Sequence, residues 1–319
     1  MHNPIASFLD RFTLKKPILY KGLVVFPVCL TGGAPADEEE IISLEEGLKS
    51  GRISVAETGR MERIGMWNAG HTPALIMDGE TLLGGAQNRV MNTSVVLRPG
   101  EHVETPASCV EVHRWDLKRD GEIPQNKRKF NTSDMAFAKL RHSRMEDMHN
   151  SITTENRVSV DQNEVWRTII QRFGIVGAKA DTLDLHDLYD CWHHALKVFT
   201  DRFHLVTAQT GMISFLNRRT WFADIFAHRT MLMKQYKKIL KGIAFDALIR
   251  LDAKGELPLR HVPTADDARD VLRNLRVAKT QLVPMGRDFY LASDKCFGFA
   301  AVYENKVLYL SACSRHFSL

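Results

Sequence analysis

No stretch of this 319-residue chain approaches the roughly 18 consecutive apolar residues that a membrane-spanning helix needs. The opening MHNPIASFLDRFTLKK has neither the apolar core nor the small-residue cleavage site of a secretion signal, so the expected location is the cytoplasm. Cysteine is scarce: five residues, Cys29, Cys109, Cys191, Cys296 and Cys313, widely spaced and without a CxxC pair. That excludes a disulfide framework and a zinc ribbon. Cys191, His193 and His194 lie close together but meet no metal-ligand spacing, and neither a metal nor a cofactor is expected. There is no Walker loop, no GxSxG elbow, no HExxH and no dinucleotide-binding glycine fingerprint, which removes several common enzyme classes. Strong charge bias is missing too. The net charge of +5 suits an anionic ligand but is too small for a dedicated nucleic-acid binder. Nucleic acid is therefore not the expected partner, and the basic run 126–129 reads as a solvated loop.

What is present is ordinary globular composition, 44% hydrophobic and 25% charged, enough for one large domain or two smaller ones. Residues 22–28 read as a buried strand. Ser43 with Glu46 three positions on reads as a capping box opening a short helix. From residue 52, short strand-like runs at 52–57, 63–67, 74–77, 94–97 and 102–105 alternate with turn signals, predicting a β-rich antiparallel sandwich or barrel-like half over 1–116. Residues 117–162 are polar, with a weak helical pattern at 135–148, and are expected to form a mobile excursion. The half from 163 to 319 mixes helices (165–173, 183–203, 231–251 and 265–277, the last capped by Thr264) with hairpins at 211–226 and 297–310. The expected class is α+β, and the two halves are left open as one packed unit or two.

The densest chemistry lies between Asp78 and Arg89. An apolar strand delivers Asp78-Gly79-Glu80, then Gly84-Gly85 and Gln87-Asn88-Arg89. Glycines admit tight turns or close ligand approach. Gln87 and Asn88 offer paired donors and acceptors, and Arg89 a fork that fits phosphate or carboxylate. Glu80 suits a general base or a ribose-hydroxyl acceptor. A second cluster runs from Cys109 to Trp115; regular alternation would put Cys109, Glu111 and His113 on one face. The plainer readings stand beside these. The glycines and amides can simply tie a loop, Cys109 can be a small core filler, Glu111 and Arg114 an ordinary ion pair, and Trp115 a core residue. The tract Asp181, Asp184, His186, Asp187, Asp190 reads as a solvated helix face.

At these motifs the sequence resembles the prokaryotic domain family named for its association with ADP-ribosylglycohydrolases and rhodanese-phosphatases. The matching pieces are Gly22 to Pro27, Ser43 to Leu48, Asn68 to Pro73, Asp78 to Glu80, Gly84 to Arg89, Pro99-Gly100 and Cys109 to Trp115. Asn163 to Trp166, Gly211 to Phe226, Lys238 to Leu240 and Asp246 to Leu248 match in the second half. Tyr236, Ile243 and Tyr309 depart from the family pattern. The resemblance implies a setting of ADP-ribose and NAD-derived nucleotides in prokaryotic conflict. It implies a site in which Glu80 and Glu111 are catalytic and Asp78, Gly84, Gly85, Gln87, Asn88, Arg89, Arg114 and Trp115 bind a phosphorylated ribose or nucleotide. A non-catalytic nucleotide sensor is the alternative. A third expectation is an assembly component that contacts a protein partner, or further copies of itself, through 117–162.

Overall fold

The structure is a computed structural model and describes residues 4–32, 40–113, 129–251, 262–283 and 288–318. Among the described residues helix and strand take similar shares, about 34% and 33%, so the class is mixed α+β as expected. Two compact units are present, Met1–Glu39 with His194–Leu319, and Glu40–His193.

The chain opens with α1 (Pro4–Leu9), β1 (Phe12–Leu14), β2 (Ile18–Tyr20) and β3 (Leu23–Leu30). All eight residues of β3 are buried, as its unbroken apolar run requires of a strand covered on both faces.

The second unit follows, with β4 (Ile42–Ser43), α2 (Leu44–Ser50), β5 (Ile53–Glu57), β6 (Arg63–Asn68), β7 (Ala74–Ile76), β8 (Glu80–Leu83), β9 (Arg89–Met91), β10 (Val95–Leu97), β11 (His102–Cys109) and β12 (Asn131–Met135). Its helices are α3 (Ala138–Glu155), α4 (Gln162–Val176) and α5 (Leu185–Cys191). The capping box of α2 forms as read: the Glu46 N–H donates to Ser43 Oγ, and Glu46 Oε2 accepts from the Ser43 N–H at 2.9 Å. Six strands form one sheet in the order β12-β8-β9-β11-β6-β5, and β10-β7-β4 form a small second one. Ile53, Ile64, Met66, Leu82, Met91 and Phe130 belong to this unit's apolar core.

The chain then adds α6 (His193–Thr200), β13 (Gln209–Phe215), β14 (Trp221–Phe226), α7 (Arg229–Ile249), α8 (Ala265–Arg276), β15 (Lys279–Leu282), β16 (Phe289–Ala292), β17 (Cys296–Tyr303) and β18 (Lys306–Ser314). These strands extend the first unit's sheet in the order β1-β3-β13-β14-β18-β17-β16-β15, with β2 also on β3. The two expected hairpins are present. Glu304 and Asn305 turn the second at φ 46° and 64°, the left-handed pair that a two-residue hairpin turn demands. In α7, of the apolar stripe expected from the sequence, Leu232, Tyr236, Ile239, Leu240 and Ile243 are buried and Leu248 is half-buried.

Three expectations differ from this structure. The boundaries at 116 and 162 do not coincide with the two units, because residues 131–155 form β12 and α3 inside the second one. The expected excursion is thus ordered over its described part, while 117–128 lie outside the described residues. Its polar composition was misleading because α3 buries Arg141, His142, Ser143 and Arg144 beside Leu140, Met145 and Met148. The expected helix at 183–203 is two helices, broken at Trp192. The first buries Leu185, His186, Leu188 and Tyr189 and the second Leu196 and Phe199, so the spacing of apolar residues does not register the break.

Candidate functional site

The Asp78-Gly79 turn leads into β8 with Gly79 at φ +82° and its N–H donating to the Met91 carbonyl at 2.8 Å. Asp78 is fully buried. Its Oδ1 accepts from Ser94 Oγ at 3.0 Å, and its Oδ2 lies 3.6 Å from Arg141 Nη2. Glu80 Oε1 accepts from Thr132 Oγ1 at 3.2 Å. These two acids are thus held against Ser94, β12 and α3. The adjacent glycines are explained by neighbouring chain. A Cβ on Gly84 (φ +124°) would sit 2.6 Å from the Lys129 carbonyl oxygen, and one on Gly85 would overlap the Phe130 ring.

A different group of side chains gathers where β11 ends. Glu111 and Asp184 form an antiparallel bridge, flanked by Leu185 N–H to Val110 C=O at 3.0 Å and His113 N–H to Thr182 C=O at 3.1 Å. Asn88 lies beside both. Its Nδ2 donates to Asp184 Oδ2 at 2.6 Å, its backbone N–H to Glu111 Oε2 at 3.3 Å, and its Oδ1 accepts from the Gly84 N–H at 2.9 Å. Gln87 Nε2 donates to the Glu111 carbonyl at 3.0 Å. Asp184 also caps α5, accepting from the His186 N–H, and its Oδ1 stands 3.2 Å from His186 Nδ1. His186 Nε2 in turn lies 3.0 Å from Thr81 Oγ1, completing a carboxylate–imidazole–hydroxyl relay. Thr81 is fully buried and its one hydroxyl proton is donated to the Asp134 carbonyl, so its hydroxyl is an internal anchor and not an open nucleophile. Asp184 and His186 keep 12% and 11% of their side-chain surface open.

Arg89 is held elsewhere, 2% exposed, directly opposite Cys109 on β11. Nη2 donates to Glu57 Oε2 at 2.8 Å, and Nη1 to Cys109 Sγ at 3.0 Å and to the Met61 carbonyl. The other Glu57 oxygen accepts from the Ala86 N–H at 3.0 Å. Burial pushes the Cys109 thiol up to about 11 against the opposing pull of Arg89, which leaves it protonated and unreactive.

The family model of the ARG and rhodanese-phosphatase-superfamily-associated protein domain matches residues 11–313. The chain belongs to this family. Its name links the domain to ADP-ribosylglycohydrolase-associated systems. No curated protein and no solved structure matches the chain. Among the described residues no helix is long and apolar enough to cross a membrane.

In this member of the family, Gln87, Asn88 and Glu111 converge, while Asp78 and Glu80 hydrogen-bond to other partners. Arg114 and Trp115 lie outside the described residues. The one-face alternation of Cys109, Glu111 and His113 does not continue. β11 stops at Cys109; Cys109 and Glu111 are buried and His113 is exposed. The tract read as a solvated helix face is split. Asp181 and Asp190 are exposed, but Asp184 and His186 are buried in the network. Sequence reasoning therefore missed Asp184, His186, Thr81 and Glu57. An aspartate just ahead of Leu185-His186 is a legible N-cap; its partner Asn88, 96 residues away, is not.

Proposed function

We propose that Glu111, Asp184 and Asn88 form the ribose end of a binding site for an ADP-ribose-type nucleotide. The bridge that sets Glu111 against Asp184, with Asn88 hydrogen-bonded to both, carries this reading. Carboxylates accept hydrogen bonds from a vicinal diol, and an ionised carboxylate has about four lone-pair sites. The partly open Asp184 and His186 give a hydroxylated ligand a place to reach them. The family's link to ADP-ribosylglycohydrolase systems supports the choice of nucleotide. Because the Arg89 guanidinium is engaged by Glu57, Cys109 and Met61, its part in this reading is to hold the Gln87-Asn88 segment and not to grip phosphate. Any turnover would draw its acid or base from Glu111, since Glu80 is hydrogen-bonded to Thr132.

Titration calorimetry of the full chain with ADP-ribose, NAD and adenosine tests the reading, with mass spectrometry of the same samples for products. The informative variant is Glu111→Gln, whose amide oxygen can still accept the Asn88 N–H while the charge is gone. Losing a charge-assisted hydrogen bond of about 1.5–3 kcal/mol should weaken ADP-ribose roughly 10- to 100-fold. Heat release that is absent for every ligand, or unchanged by Glu111→Gln, sinks the proposal. Product formation by the parent chain would extend it from binding to catalysis.

A further inference from the structure

Arg144 of α3 is 1% exposed, and no carboxylate touches it among the described residues. Nη1 donates to the Met91 carbonyl at 2.6 Å and to Asn92 Oδ1 at 3.3 Å, while Nε and Nη2 make no hydrogen bond. Burial pulls this guanidinium down to about 10; Asp78 and Asp147 oppose that only through space, and Arg141 adds to it. Unsatisfied buried donors are costly, and a buried charge is ordinarily kept only with a counter-charge. The anions nearest to Arg144, Asp78 and Asp147, thus balance its charge only at a distance, and two of its nitrogens stay free to donate.

Asn92 is the link to the place where an anion fits. It lines a cavity of about 160 Å³, together with Ser108, Arg63, Val158, Val160 and Gln162 among others; Glu62, exposed on its wall, is the one acid in the lining. Asn92 and Ser108 now satisfy each other: Asn92 Nδ2 lies 3.0 Å from Ser108 Oγ, and Ser108 Oγ 3.1 Å from Asn92 Oδ1. Both line the cavity with a side-chain donor, and Arg144 Nη1 contacts Asn92 Oδ1 at 3.3 Å. We infer that this cavity receives a phosphate group of the nucleotide, with Ser108 and Asn92 donating to its oxygens and Arg144 supplying the countercharge. The inference rests on the ribose reading above for the identity of the ligand, and on Arg144 and the cavity for the phosphate.

Titration of the full chain with inorganic phosphate and, separately, ADP-ribose tests it. Val158→Trp fills the cavity from a half-buried position in the α3–α4 connection, so it leaves the core intact. Arg144→Met removes the charge. The expected result is phosphate binding by the parent chain, abolished by Val158→Trp. ADP-ribose should weaken at least tenfold in Val158→Trp and, where it folds, in Arg144→Met. Glu111→Gln should weaken ADP-ribose and leave phosphate untouched. If ADP-ribose binding responds to Glu111→Gln but not to Val158→Trp, the phosphate cavity is wrong and the ribose site stands. If phosphate binds in a Val158-dependent way and ADP-ribose does not bind, the cavity stands as an anion site and the nucleotide assignment fails. Binding of neither overturns both.

Discussion

Glu57→Gln should destabilise the protein by about 3 kcal/mol, at the lower end of the range for breaking a buried ion pair. The partners are 2.8 Å apart, with the Arg89 side chain 2% and the Glu57 side chain 16% exposed. At an effective dielectric constant of about 20 the gross attraction is roughly 6 kcal/mol, and desolvation of both ions offsets much of it. The variant leaves the guanidinium buried with only the neutral Met61 carbonyl, the Cys109 sulfur and an amide oxygen, so the cost is that of an uncompensated charge. Arg89→Met should cost less, because the surviving Glu57 carboxylate is partly solvated and still accepts the Ala86 N–H. The double variant should fall short of the sum by about 2 kcal/mol, the signature of direct coupling. Urea unfolding of the four proteins, followed by circular dichroism, measures all three terms. Additive effects, or a Glu57→Gln change below about 1 kcal/mol, would refute the assignment of Arg89 as a structural cation. So would an Arg89→Met protein of parental stability that has lost ADP-ribose binding, the pattern expected of a phosphate fork.

Burial, reinforced by Asp161, Glu164 and Glu146 and opposed by the Asp161 N–H, pushes Asp147 up to about 6. The folded state then binds a proton that the unfolded state has released, so this contribution is fully present below about 3.8 and lost as pH rises through about 6. Asp147→Asn should flatten that part of the stability profile and gain about 1–3 kcal/mol at pH 7.5, read by unfolding at several pH values. Iodoacetamide at neutral pH should label exposed Cys191 and spare Cys109, which mass mapping of the native protein will show. Tyr236, 4% exposed, has a hydroxyl without a hydrogen-bond partner among the described residues, and burial alone pushes it up to about 12. Tyr236→Phe should therefore leave thermal stability unchanged or raise it by up to about 1 kcal/mol; a loss of more than that would reveal a partner for the hydroxyl.

Elements with a strong local pattern were legible. The capping box of α2, the Thr264 N-cap of α8, the apolar run of β3, the stripe of α7 and the Glu304-Asn305 hairpin each follow from neighbours within a few residues. The motif from Asp78 to Arg89 was also visible as a place where polar residues accumulate. Its internal arrangement was not. Glu80–Leu83 and Arg89–Met91 are short strands on either side of a glycine pair, too brief to show alternation. The pairing that sorts Asn88 toward Asp184, Arg89 toward Glu57 and Asp78 toward Arg141 spans 96, 32 and 63 positions, and no periodicity reports contacts at such separations.

The failure at α3 has a different cause, and it bears on function. Amphipathic patterning identifies a helix by the contrast between an apolar buried face and a polar exposed one. On α3 the contrast is cancelled, because Arg141, His142 and Arg144 are buried on the same helix as exposed Glu146 and Asn150. A hydrophobicity rule therefore scores the segment as solvated. An apolar side chain at position 144 would restore the pattern and remove the desolvation cost of two unsatisfied guanidinium nitrogens, so packing alone gives no reason for an arginine there. The same substitution removes the charge behind Asn92. If Arg144→Met folds with undiminished stability and has lost phosphate, the residue that hid the helix from sequence analysis is retained for its ligand.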